Sequence, residues 1–156
     1  MSAALIKDVK TQFIKIFKTD PILVFSPGRI NIIGEHTDYN GGFVFPAAVD
    51  KGIVAAIQKS DAGFCTAIAL DLESIIEFAL DKLKPAKEGS WENYVFGVVA
   101  EIQNRNKVVG DFNIIFKGNI PGGAVMSSSA ALENSVVFGL NELFDLGLTK
   151  IEMILI

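Results

Sequence analysis

The chain of 156 residues is half hydrophobic and only 21% charged, which excludes a disordered segment. Its net charge is −4 with scattered Lys and Arg, so it carries no electrostatic footprint for nucleic acid or an anionic membrane. Mean hydropathy is +0.40, yet no apolar run approaches the ~18–20 residues of a membrane span, and the excess points to burial in something larger.

The N-terminus, MSAALIKDVKTQF, carries charge every few residues and has no uninterrupted apolar core. It is not a signal peptide, and a cytoplasmic protein is expected. Leu5, Ile6, Val9, Phe13, Ile14 and Phe17 recur at spacings of three and four, predicting an amphipathic helix over 3–18 that Pro21 brings to a stop. ILVF (22–25) predicts a short buried strand running into a polar loop, GRINIIGEHTDYNGG (28–42). Further strands are predicted over 43–49, 52–58, 64–70 and 75–80, separated by turn chemistry such as SDAG (60–63). The single cysteine, Cys65, lies inside one of these runs; no disulfide within the chain is possible, and a structural zinc site lacks ligands.

Trp91, Tyr94, Val95, Val98, Val99 and Ile102 restore a helical period over 91–103. DFNIIFKGNI (111–120) reads as a strand and 128–144 as a helix. Strands first, then helices and strands mixed, predict an α+β fold rather than a regular βαβ series. Near the end, Thr149 with Glu152 three residues later forms a capping box. The helix it opens would have about two turns and would finish on MILI, so a chain cut inside a helix is the expectation.

Two stretches carry chemistry. IPGGAVMSSSAALE (120–133) passes from a strand through a Gly-rich loop into a helix whose first residues are serines. Uncapped amides and the partial positive charge of a helix N-terminus suit an anion. Gly122 and Gly123 let backbone approach a phosphate, and the hydroxyls of Ser127, Ser128 and Ser129 can donate to phosphate oxygens or hold magnesium. An ordinary Gly-rich turn with a serine cap reads the same way. In the first stretch Glu35 and Asp38 can accept hydrogen bonds from neighbouring sugar hydroxyls. Arg29 supplies a permanent charge for a transferring phosphoryl group. One histidine, His36, with two acids is weak ground for zinc, and an exposed polar loop with a salt bridge also fits these residues. Together the stretches suggest a hydroxylated substrate beside a nucleotide phosphate, the layout of a small-molecule kinase.

SPGRINIIGEHTDYNGGFVFPAAVD closely resembles the galactokinase signature within the galactokinase, homoserine, mevalonate and phosphomevalonate (GHMP) kinase superfamily. IPGGAVMSSSAALE is similar to that superfamily's ATP loop, and WENYVFGV (91–98) to the galactokinase segment near the nucleotide base. The resemblance covers essentially the whole chain but less than half of a full-length galactokinase. It implies an incomplete N-terminal domain over 1–156, of the ribosomal-protein-S5-domain-2-like type, with a sugar-binding segment at 26–46 and an ATP loop at 120–133. The implied reaction is phosphorylation of the galactose anomeric hydroxyl by ATP with Mg2+. An aspartate takes or orients the hydroxyl proton, while an arginine keeps that aspartate ionised and steadies the phosphoryl.

Residue by residue, the resemblance makes Arg29 the transition-state stabiliser and Glu35, His36, Thr37 and Asp38 the sugar-binding segment. Gly123, Ala124, Val125, Met126, Ser127, Ser128 and Ser129 become the ATP loop, with Ser129 on the magnesium. Trp91 and Tyr94 would line the base pocket, although both serve equally well as core residues of an amphipathic helix. No nucleic-acid, membrane or protein partner is indicated. The family's catalytic aspartate and magnesium-binding glutamate have no match here, and Val125 replaces a usual glycine. A truncated chain, inactive as given, is therefore expected. A non-catalytic galactose and ATP sensor, or a kinase for a related sugar such as N-acetylgalactosamine, are the alternatives.

Overall fold

The computed structural model describes residues 3–34, 40–121 and 127–156. The apolar runs that read as continuous rather than alternating, IVAAI, CTAIA and FNIIF, become strands buried on both faces. Five strands form one sheet: β1 (Ile22–Ile33), β2 (Phe45–Lys59), β3 (Cys65–Ala69), β4 (Ser74–Phe78) and β5 (Phe112–Gly118). Their spatial order is β1-β2-β5-β3-β4, antiparallel throughout except for the parallel β5–β3 pair. Among the described residues four α-helices accompany the sheet: α1 (Ala3–Phe17), α2 (Glu92–Asn104), α3 (Ser128–Phe144) and α4 (Lys150–Ile154). The expected α+β class is what the structure shows.

Because successive side chains of a strand point to opposite faces, β2 feeds two cores at once. Val54 and Ala56 join Ile68 and Ile115 beneath Leu5, Val9 and Phe13 of α1. Ala55 and Ile57 face the other way, into a larger core with Val95, Val99 and Ile102 of α2 and Val136 and Leu140 of α3. The result is three layers: one helix, the sheet, and the α2–α3 pair. Gly139 lets α3 lie close, since a Cβ there would stand 3.2 Å from Ile57 Cγ2.

Two strand boundaries differ from expectation. The runs at 43–49 and 52–58 are one strand, and the strand begun at Ile22 continues to Ile33. Arg29 therefore sits in β1 opposite Ala48, not on a loop. Register shifts between Pro27 and Arg29, and again between Asn31 and Ile33, carry the irregular sequence through the pairing. Pro27 is tolerated because β1 is an edge strand. The capping box forms as read: Glu152 N–H donates to Thr149 Oγ1 at 3.2 Å and Thr149 N–H to Glu152 Oε2 at 2.7 Å. No helix among the described residues is long and apolar enough to cross a membrane.

Candidate active site

The strand–loop–helix unit of the second motif is anchored where β5 ends. β5 finishes at Gly118, and Asn119 then grips Gly52 of β2 through a side-chain and a backbone hydrogen bond of 2.8 and 3.0 Å. On the far side Ser127 precedes α3 with φ 49°, in the left-handed region, and its side chain makes no capping bond. The ordinary serine cap is thus not formed, which leaves the first-turn amides of α3 without that partner.

Beside this helix start lies a cavity of about 460 Å³, lined by Trp91, Tyr94, Phe116, Leu132, Ser128 and Ser129 among others. Its volume is that of a small-molecule pocket. Residues of the second motif and of the aromatic segment 91–94, twenty-five or more positions apart in sequence, meet on one wall. Trp91 is fixed there by two contacts. Its ring meets that of Phe116 edge-on at 5.3 Å, and its indole Nε1–H donates to Ser74 Oγ at 3.3 Å. Trp91 immediately precedes α2 and is half-buried, as is Tyr94. Both also pack against the larger core.

Arg29 lies on the other side of α3. It is exposed, and with Ala130, Glu133, Asn134, Val137 and α4 it lines a second cavity of about 170 Å³. Ser129 and Ala130 are successive residues, so the first turn of α3 is a wall common to both cavities. Glu133 is half-buried and its carboxylate has no hydrogen bond or ion pair among the described residues; burial pushes that carboxyl up from its ordinary value.

Of the residues named from sequence, Arg29, Trp91, Tyr94, Ser128 and Ser129 are brought to these two cavities, and Ser127 immediately precedes α3. Glu35, His36, Thr37 and Asp38 lie outside the described residues, as do Gly123, Ala124, Val125 and Met126. Among the described residues no group of three or more His, Cys, Asp or Glu could hold a metal ion. Asp71 also lines the larger cavity. No sequence pattern marks it, since it follows a run that reads only as a buried strand.

The GHMP kinases N terminal domain matches residues 93–156. The Methanococcus jannaschii mevalonate kinase shares the fold at a TM-score of 0.75 and 17% identity, over 87% of this chain and 44% of that one. Sheet, helices and serine-started helix are those of a GHMP kinase N-terminal domain. The galactokinase galactose-binding signature matches residues 11–59. Galactokinases of Clostridium perfringens and Fusobacterium nucleatum are each 45% identical, over 95% and 96% of this chain and 39% of their own length. The Lactococcus lactis galactokinase crystallised with galactose superposes with a TM-score of 0.86 at 34% identity, covering 94% of this chain and 39% of that one. The chain belongs to the GHMP kinases and corresponds to the N-terminal part of a galactokinase. It spans about 39% of the length of these relatives.

Proposed function

We propose that this chain supplies the nucleotide cavity and part of the sugar site of a cytoplasmic galactokinase, which moves the γ-phosphoryl of ATP to the anomeric hydroxyl of galactose. The observation that carries the reading is the shared first turn of α3, with Ser128 and Ser129 on the aromatic cavity and Ala130 on the cavity of Arg29. A nucleotide fits the larger space: an aromatic wall for a base, and serine hydroxyls with the amides of a helix start for phosphates.

In this reading Trp91 and Tyr94 hold the base, and residues 123–129 wrap the phosphates. Ser129 offers its hydroxyl to magnesium, an ion that keeps most of its shell as water and phosphate oxygens. Glu35, His36, Thr37 and Asp38 bind the sugar. Arg29, permanently charged, stabilises the phosphoryl as its bond to the leaving oxygen breaks and the bond to the anomeric oxygen forms. The proton acceptor implied by the resemblance has no match in these residues. Turnover is therefore assigned to a chain of the relatives' length, and ligand binding to this one.

Trp91 is the only tryptophan, so intrinsic fluorescence tests the assignment directly. Titration with MgATP should give a saturable change in Trp91 emission. No change up to millimolar MgATP would overturn the nucleotide reading. Calorimetry with galactose and with N-acetylgalactosamine decides the sugar: tighter binding of the N-acetyl sugar would replace galactose as the substrate.

A further inference from the structure

We propose that Asp71 reads the nucleoside of the phosphate donor, its second carboxylate oxygen accepting a hydrogen bond from a donor group on the base or the ribose. The proposal rests on the nucleotide reading of the larger cavity and adds to it the group that selects among nucleotides.

Asp71 lies on the short helical turn Leu70–Leu72 that follows β3. Among the described residues lining the cavity it is the only charged one, and its neighbours there include Ile53, Leu72, Phe116 and Ile120. One carboxylate oxygen is committed: Gly118 N–H donates to Oδ2 at 2.6 Å. Glycine suits that approach, since a Cβ on residue 118 would already touch Ile53 at 3.3 Å and reach Asp71 Oδ2 at 3.7 Å. The other oxygen has no hydrogen-bond partner among the described residues. Trp91 cannot serve as the polar reader, because its indole N–H is directed to Ser74.

Charge then orders the ligand in the cavity. A carboxylate repels phosphate, whereas the serines and amides at the start of α3 attract it. The triphosphate therefore belongs at Ser128 and Ser129, and the uncharged nucleoside at Asp71. A lone acceptor there pairs with the exocyclic amine of adenine or with a ribose hydroxyl, and it opposes a carbonyl oxygen at the same place.

Gly118 makes the test sharp. Its N–H requires an oxygen, so in Asp71→Asn the amide oxygen stays on Gly118 and the NH2 turns to the ligand. An acceptor becomes a donor with almost no change in shape. Dissociation constants would be read from Trp91 fluorescence for ATP, ITP (a carbonyl in place of the amine) and the 2′- and 3′-deoxy forms of ATP.

If Asp71 meets the base, the unaltered chain prefers ATP to ITP by on the order of tenfold, the worth of a hydrogen bond to a charged group, and Asp71→Asn cancels or reverses that preference. If it meets the ribose, a deoxy analogue loses that factor and the loss disappears in Asp71→Asn. Equal affinity of the unaltered chain for all four nucleotides overturns the proposal without any variant, and so do ratios left unchanged by Asp71→Asn. Absence of binding for every nucleotide would instead overturn the nucleotide reading of the cavity itself, and the role of Asp71 with it.

Discussion

Asn119 holds Gly52 at two points: its side-chain oxygen accepts from Gly52 N–H at 2.8 Å, and its own N–H donates to Gly52 O at 3.0 Å. This clasp joins the exit of β5 to the middle of β2. Gly52 has no room for a side chain, because a Cβ would collide with the Ser26 carbonyl oxygen and the Phe25 ring on β1. Gly52→Ala should destabilise the fold by roughly 2–4 kcal/mol, the range of overpacked sites with a backbone obstacle. Asn119→Ala should cost about 1–2 kcal/mol, leaving one part-buried amide unpaired. Urea melts of the two variants check both values, and a neutral Gly52→Ala would show that β1 can move away.

Cys65 is fully buried and its thiol is pushed up to about 11, chiefly by burial, from an ordinary value of 9.0. Below about pH 9 the thiol is protonated in both folded and unfolded chains and contributes no pH dependence. Between pH 9 and 11 the unfolded chain ionises first, so stability should fall as pH rises through that window. Native protein at pH 8 should resist a thiol reagent and react only on unfolding. Rapid labelling without denaturant would contradict the burial.

Glu133 shows a like effect at the acid end. Burial raises its carboxyl above the ordinary 4.5, so the protonated form is favoured in the folded chain. Its stabilising influence is complete below pH 4.5 and is lost as pH rises through the folded value. Glu133→Gln keeps the shape and removes the charge. It should therefore raise the melting temperature at pH 7 more than at pH 4, and an equal effect at both pH values would reject this origin.

In the proposed phosphate loop, Val125 would act on nucleotide binding through its β-branch. In a loop where backbone must meet phosphate, a β-branched residue resists positive φ and projects methyls toward the ligand. Val125→Gly should tighten MgATP roughly tenfold or more if that position is left-handed, the strain of such a residue being about 1–3 kcal/mol. Fluorescence titration of Trp91 in both chains gives the ratio. Equal affinities would show that the loop accommodates valine.

Helices were the most legible part of the fold. The 3.6-residue period of Leu5, Val9 and Phe13 placed α1, and Thr149 with Glu152 placed the start of α4, because both signals are local. Strand boundaries were not. Asp50-Lys51-Gly52 looks like a turn between two strands, yet β2 runs straight through it because Gly52 packs under β1 and is clasped by Asn119, 67 residues away. Arg29 looked like a loop residue for a similar reason: an edge strand with bulges tolerates Pro27 and Gly28, and no local signal announces that tolerance. Asp71 was invisible altogether, since a single acid after an apolar run has no pattern of its own.

The sequence by itself determined the fold class and the family resemblance. Apolar periods specified an α+β chain, and two motifs of glycine, serine, acid and arginine raised the expectation of a phosphate loop and a sugar segment, since such signals reside in residue types and spacings. Only the tertiary structure decided which of them meet. β5 follows four other strands in the chain but enters the sheet between β2 and β3, and that insertion carries α3 across to the face it shares with α2. Serines 128 and 129 thereby reach Trp91 and Tyr94, while Ala130 and Glu133 reach Arg29. Long-range pairing and the burial of two opposite sheet faces select this arrangement, and neither is written in any short window of sequence.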